Sequence, residues 1–263
     1  MFFFSQRHFF CSFFFIHYPQ RILNTHHAEA HPDFANISKK LKEVPLGINP
    51  DYDRSCYLRH FAMAFVGGGW MSDYDTVPLN MNAEDFGKDL PNDGRFTTYQ
   101  RHVPSLIVGN NEEWDRVSQA LLHEGVVAKN NANLGVSTEG RQLFSDMYAL
   151  EVLVNNGKVS ANTTPEVGAR AAEMLIKELL NWDSQNDTSL QEHCKEKQFK
   201  AVHFSHLVAE EIGFHIDDRP LLIASFLDRW SRLCGSPEDY FSSSIMVRAK
   251  DARNATSMLA HSN

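Results

Sequence analysis

The chain is poor in positive charge. Its 25 Lys and Arg stand against 33 Asp and Glu, for a formal charge of −8, which argues against a phosphate-backbone binder, because such proteins carry a basic face that neutralises many phosphates. No nucleic-acid partner is expected, and any polyanionic ligand must be held locally. Cysteine is scarce: Cys11, Cys56, Cys194 and Cys234 lie far apart with no paired short spacing, so neither a zinc site nor a redox pair is indicated. Internal repeats and clear linkers are absent too. At 263 residues and 43% hydrophobic content the chain is long enough for one large globular domain.

Long hydrophobic runs are also missing. In "MFFFSQRHFFCSFFFIHYPQ" the apolar stretch from Phe9 to Ile16 follows Arg7 and His8. It has the length of a signal-peptide core and is short for a bilayer span. Residues 1–17 are therefore read as a signal peptide or a weak membrane anchor, and the sequons at Asn36, Asn162, Asn186 and Asn254 fit a secretory or Golgi location. Residues 18–235 form the expected catalytic domain and 236–263 a polar C-terminal tail.

Within the domain, strands and helices alternate. "PQRILNTHH" reads as a first strand centred on Ile22 and Leu23, and Ala28 to Tyr52 as a Pro-punctuated connector. Asp53 is placed to cap a helix over "RSCYLRHFAMAFV", where Leu58, Phe61, Ala62, Phe65 and Val66 recur at helical spacing until Gly67. "RHVPSLIVG" carries a strand over Leu106 to Val108. "NNEEWDRVSQALL" carries a helix with Asn110 and Glu113 spaced as a capping box. A helix is expected from Arg141 to Val154, another from Pro165 with Val167, Ala171, Leu175 and Leu179 inward, a strand at "FKAVHF", and a last helix from Pro220 to Cys234. This rhythm predicts an α/β fold with a single Rossmann-like mixed sheet flanked by helices.

The segment "FVGGGWMSDYD" puts three glycines before Asp73 and Asp75. In a regular strand, residues two apart share a face, so these carboxylates can converge on one ion. Oxygen ligands of this kind suit Mg²⁺ or Mn²⁺, which keep positions open for phosphate oxygens. In "KAVHFSHL", His203 ends a strand and His206 follows a polar turn; a neutral imidazole can join carboxylates around Mn²⁺.

The stretch "YLRHFAMAFVGGGWMSDYDTVPL", Tyr57 to Leu79, resembles the D-x-D segment of GT-A glycosyltransferases, in particular glycosyltransferase family 32, with its pattern R-x-x-x-L-x-x-x-G-G-x-Y-x-D-x-D. The resemblance implies a GT-A nucleotide-diphospho-sugar transferase fold and a retaining, metal-dependent hexosyl transfer from a nucleotide diphosphate sugar to a glycan or other hydroxyl acceptor. It implies that Asp73, Asp75 and a late His, here His203, hold Mn²⁺ or Mg²⁺, that Arg59, Gly68 and Gly69 approach the donor, and that His206 reaches a phosphate oxygen. It further implies that Asp146, in the helical segment "FSDMYALEVL", meets a sugar hydroxyl. Cys56 stands where the family usually has Asp, and the glycine run is one residue longer. Trp70 and Trp114 read as packing residues. Two alternatives remain. "DYDTV" also fits the opening motif of haloacid dehalogenase-type phosphohydrolases, with Asp73 as nucleophile and Asp75 as general acid, and the chain could be a sugar-nucleotide-binding relative without catalysis.

Overall fold

In the computed structural model, residues 2–4, 21–47, 49–78, 89–128, 145–161, 169–171, 200–205 and 216–234 are described. A short strand β1 (Phe2–Phe4) pairs in parallel with β2 (Arg21–Leu23), Phe3 opposite Ile22. The 5–17 part of the expected leader and the 236–263 tail lie outside the described residues. The expected connector after β2 contains two helices, α1 (Thr25–Glu29) and α2 (Phe34–Leu41). Ile37 and Leu41, four apart and fully buried, give α2 its inward stripe.

Helix α3 (Pro50–Phe65) carries the sequence leading to the acidic pair. Its cap is Asn49, not Asp53: the Asn49 side chain accepts from the Tyr52 N–H at 3.2 Å, and Pro50 follows at a position where a missing N–H costs nothing. Asp53 instead accepts from the Gly47 N–H at 2.7 Å. Gly67 at φ 99° ends the helix in a conformation that only glycine adopts cheaply. Leu58, Phe61 and Ala62 are buried as expected, whereas Phe65 is 44% exposed. The helix packs on α1 and on α4 (Asn111–Ala128).

Strand β3 (Gly68–Ser72) runs antiparallel to β6 (Leu106–Asn110), with Trp70 opposite Val108 and Met71 opposite Ile107. Beyond β6 come β5 (Thr97–Thr98) and β7 (Ser160–Ala161), so the sheet order is β2-β1-β3-β6-β5-β7 with both parallel and antiparallel pairs. Side chains alternate: Met71 and Ile107 join the core under α3 and α4, while Trp70, Leu106 and Val108 pack with Tyr99 and Ala201 on the other face. Trp114 is fully buried in the first core, so both tryptophans are packing residues.

A second, three-stranded sheet has the order β4-β9-β8, from β4 (Thr76–Pro78), β9 (Ala201–His203) and β8 (Ala169–Ala171). The architecture is thus mixed α/β with small sheets, and no Rossmann-like parallel sheet is present among the described residues. The expected single sheet is two, because the turn at Asp73–Asp75 passes the chain from one to the other. Ala171, expected on a helix, lies on β8, where parallel pairing with β9 overrides its helical preference; the rest of that expected stripe lies outside the described residues. Helix α5 (Asp146–Asn155) packs against α4, and α6 (Arg219–Cys234) buries Ile223, Phe226, Leu227 and Trp230. Among the described residues no helix is long and apolar enough to cross a membrane.

Glycine is required at position 68 by packing between β3 and β6. It sits at φ 79°, and a Cβ there would lie 2.6 Å from the backbone of Asn110 and Asn111. Gly68→Ala should cost about 2–3 kcal/mol, the sum of a left-handed backbone and a local clash, read as a lowered urea midpoint. A change within about 0.5 kcal/mol, the usual range for a surface substitution, would contradict this packing.

Candidate metal centre

The acids leave the end of β3 in a turn, not on a pleated strand. The Asp73 N–H donates to the Ser105 carbonyl at 2.9 Å, and the Thr76 N–H donates back to the Asp73 carbonyl at 3.1 Å. From there β4 aligns antiparallel with β9, placing Thr76 opposite His203, and the Phe204 N–H donates to the Asp75 carbonyl at 2.8 Å. Two sheets thereby bring residues distant in sequence to one place. Asp73, Asp75 and His203 each offer a ligand atom, and these atoms lie within 4.8 Å of one another. Asp75 and His203 are buried and Asp73 half-buried.

Each carboxylate is braced by an arginine. Arg59 donates from Nη1 to Asp73 Oδ1 at 2.6 Å and from Nη2 to Asp146 Oδ2 at 2.7 Å. Arg219 donates from Nη1 to Asp75 Oδ2 at 2.6 Å and to the Tyr74 hydroxyl at 2.7 Å. His203 Nε2 lies 3.4 Å from Asp75 Oδ1, and its Nδ1 lies 2.9 Å from Gln100 Oε1. Three carboxylates thus meet two guanidiniums, leaving one negative charge that a protonated His203 or a cation can balance.

The titration directions follow from this arrangement. Burial pushes the Asp73 carboxyl up, with Arg59 opposing and Asp75 adding to the rise. Burial also penalises charge on Asp146, yet Arg59 and a hydrogen bond from His60 at 3.1 Å hold that carboxyl well below the usual carboxylate range. Burial lowers the His60 imidazole, so it is neutral and donates from Nε2 to Asp146. For His203 burial also acts downward, but the hydrogen bond to Asp75 and the charges of Asp75 and Asp73 outweigh it and raise the imidazole.

The sequence-predicted residues fall into distinct places. Asp73, Asp75 and His203 converge. Arg59, expected to face a donor, is buried between Asp73 and Asp146. Asp146, expected to meet a sugar hydroxyl, is the first residue of α5, is 2% exposed, and takes both Arg59 and His60 on its Oδ2, which makes it a brace for Arg59. At Gly68, expected to approach the donor, the missing Cβ makes room for the Asn110 backbone of β6. Gly69, at φ 109°, gives its carbonyl to the Trp114 indole N–H at 3.0 Å. His206 lies outside the described residues.

Arg219 and Gln100 were missed. "DDRP" carries no mark distinguishing an arginine that opens a helix from one that reaches back to a distant carboxylate, and a lone Gln in a turn has no motif. Cys56 is buried, and burial with the Asp146 charge pushes its thiol up to about 12, which keeps it protonated at neutral pH. The cleft between α2 and α4, lined by Lys39, Lys40, Glu43 and His123, shares no residue with the group.

No family model, curated protein or solved structure matches the chain.

Proposed function

We propose that the chain is a metal-dependent glycosyltransferase of GT-A type, moving a hexose from a nucleotide diphosphate sugar to a glycan or other hydroxyl acceptor. The observation that carries this reading is the convergence of Asp73, Asp75 and His203 from two sheets, with Arg59 and Arg219 braced against the two acids. The D-x-D segment resemblance supplies the reaction class. The donor set fits Mn²⁺ or Mg²⁺: two carboxylates and an imidazole are hard to borderline ligands, and each arginine takes one carboxylate oxygen and leaves the other for an ion. Such an ion supplies positive charge for a leaving diphosphate.

This chain's own residues do the rest. Arg59, fixed at its far end by Asp146, orients Asp73. Arg219, opening α6, orients Asp75 and holds the Tyr74 ring with its guanidinium carbon 5.2 Å from the ring centre. A divalent ion on His203 would displace its proton to solvent and take the local charge from near balance to about one positive unit, so a diphosphate and the ion should bind more tightly together than either alone.

Purified protein incubated with uridine, guanosine and adenosine diphosphate sugars should release nucleoside diphosphate from at least one donor, only with Mn²⁺ or Mg²⁺. Inorganic phosphate release from simple monoesters, with phosphate trapped on Asp73, would replace this reading with the haloacid-type hydrolase. Silence towards every donor by folded protein would leave a binding-only relative.

A pH dependence follows from the raised His203. Its folded pKa lies above the ordinary 6.5, so in the metal-free protein its proton contributes stability that is complete below the unfolded pKa and is lost as pH rises through the folded one. A cation competes for the same nitrogen, so its stabilisation grows over that interval. The rise in Tm on adding Mn²⁺ should be small below the ordinary histidine range and increase with pH through it. A Mn²⁺ effect independent of pH would mean that His203 is not a ligand.

A further inference from the structure

We infer that Gln100 is a positioning residue that fixes which nitrogen of His203 faces a bound cation; the inference rests on the metal reading of the Asp73, Asp75 and His203 group. Gln100 lies in the turn between β5 and β6. The Tyr99 N–H donates to the Leu106 carbonyl at 3.0 Å, the Val103 N–H to the Gln100 carbonyl at 2.9 Å, and Arg101 adopts a left-handed φ of 52°. The turn is thus held at both ends and strained at its tip.

Two donors meet the Gln100 side-chain oxygen: the Ser105 hydroxyl and His203 Nδ1, the latter at 2.9 Å and 103 positions away. An amide oxygen only accepts. With a cation on Nε2, His203 must therefore carry its hydrogen on Nδ1, because a bare Nδ1 would set two lone pairs against each other; without the cation, a protonated ring donates from both nitrogens, Nδ1 to Gln100 and Nε2 towards Asp75. The other nitrogen, Nε2, is then the one with an available lone pair, and it is the one beside Asp75, 3.4 Å from Oδ1. An outer partner that fixes ring orientation and tautomer is what a ligating histidine requires.

The same turn also holds the second sheet's neighbour in place. Ser105, which donates its hydroxyl to Gln100, accepts the Asp73 N–H on its carbonyl at 2.9 Å. One seven-residue turn, 99–105, therefore touches a ligand from each side of the site: Asp73, at the end of the first sheet, through backbone, and His203, on the second, through Gln100. Its side chain sets the chemistry of one ligand while its backbone sets the place of the other.

The test begins with the wild-type full chain, ¹⁵N-labelled and saturated with diamagnetic Mg²⁺. Long-range ¹H–¹⁵N spectra, with His203 assigned by its loss in His203→Asn, should show hydrogen on Nδ1; hydrogen on Nε2 would overturn the inference without any Gln100 variant. Mn²⁺ affinity is then read by electron paramagnetic resonance. Gln100→Leu, which keeps a similar bulk but cannot accept, should weaken Mn²⁺ binding by about 10-fold or more, in the range found for outer-shell partners, and move the His203 hydrogen to Nε2. Gln100→Glu, which still accepts, should restore Nδ1–H and match or exceed wild-type affinity. If wild type binds Mn²⁺ and Gln100→Leu binds it equally, the positioning role is overturned and the metal reading stands. If wild type binds no Mn²⁺, the metal reading fails and the role falls with it.

Discussion

Asp75→Asn should abolish metal-dependent turnover and lower Mn²⁺ affinity by more than the roughly 10–100-fold that losing an outer-shell partner costs. Asn keeps the shape of the side chain and removes the charge that a hard cation requires. The loss is compounded because Asp75 touches the other parts of the site: His203 at 3.4 Å and Arg219 at 2.6 Å. With the charge gone, Arg219 keeps its 2.7 Å bond to the Tyr74 hydroxyl, so the start of α6 retains a tether and the fold should survive. Near-UV circular dichroism would establish that survival, and a donor-release assay with Mn²⁺ would read the loss. Turnover within a few-fold of wild type in folded Asp75→Asn protein would remove Asp75 from the metal set.

The second large effect is on stability. Asp146→Ala should lower unfolding free energy by about 3–5 kcal/mol, the usual cost of removing one partner from a buried ion pair. The reason is what remains: Arg59 keeps Asp73 but loses its inner anchor, and the His60 Nε2–H loses its acceptor, both inside the protein. Because the Asp146 carboxyl is held below its usual range, its contribution persists at neutral pH and disappears only as pH falls through that depressed value. A surface pair gives the contrast. Arg54 and Asp51, 3.3 Å apart on the outer face of α3, are both exposed, so Arg54→Ala should change stability by under about 1 kcal/mol. Chemical denaturation of both variants reads the difference; equal small losses would show that the Arg59–Asp146 contact is not a structural brace. Asp146→Asn adds a discriminator, since a residue that only braces Arg59 loses Mn²⁺ affinity and turnover together.

The acidic pair is legible from its spacing together with the D-x-D resemblance of its surroundings, and His203 from the same resemblance and its position at the end of an apolar strand. The means of convergence was not. The sequence pattern suggests a pleated strand carrying both acids on one face, whereas a turn closed by the Thr76 N–H and the Asp73 carbonyl does the work and changes sheets as it does so. Hydrophobic alternation reports which face of a strand is buried but not which sheet it joins. That is also why the pattern predicts one sheet where there are two, and a helix where Ala171 lies on β8.

Arg59 was legible as a site residue with the wrong partner. Helical spacing places it on the same face of α3 as Cys56, but which carboxylate it meets depends on Asp146, 87 positions later. Arg219 and Gln100 act through tertiary contacts across more than a hundred positions, and neither belongs to a local pattern. At the cap of α3, Pro50 directly after Asn49 is a stronger start signal than Asp53, which lies a turn inside. In α2 the lysines at 39 and 40 mask the i, i+4 pair of Ile37 and Leu41 that makes it a helix.

The central claim is that Asp73, Asp75 and His203 bind one divalent cation together. Crystals of the full chain grown with MnCl₂ and a nucleoside diphosphate, measured at the manganese absorption edge, test it most directly. The account predicts one anomalous peak bonded to an oxygen of Asp73, an oxygen of Asp75 and Nε2 of His203, with the diphosphate on its open side and Arg59 and Arg219 still braced against the outer oxygens. A map without a peak there, with a protonated His203 filling the space and the two arginine pairs intact, would contradict it.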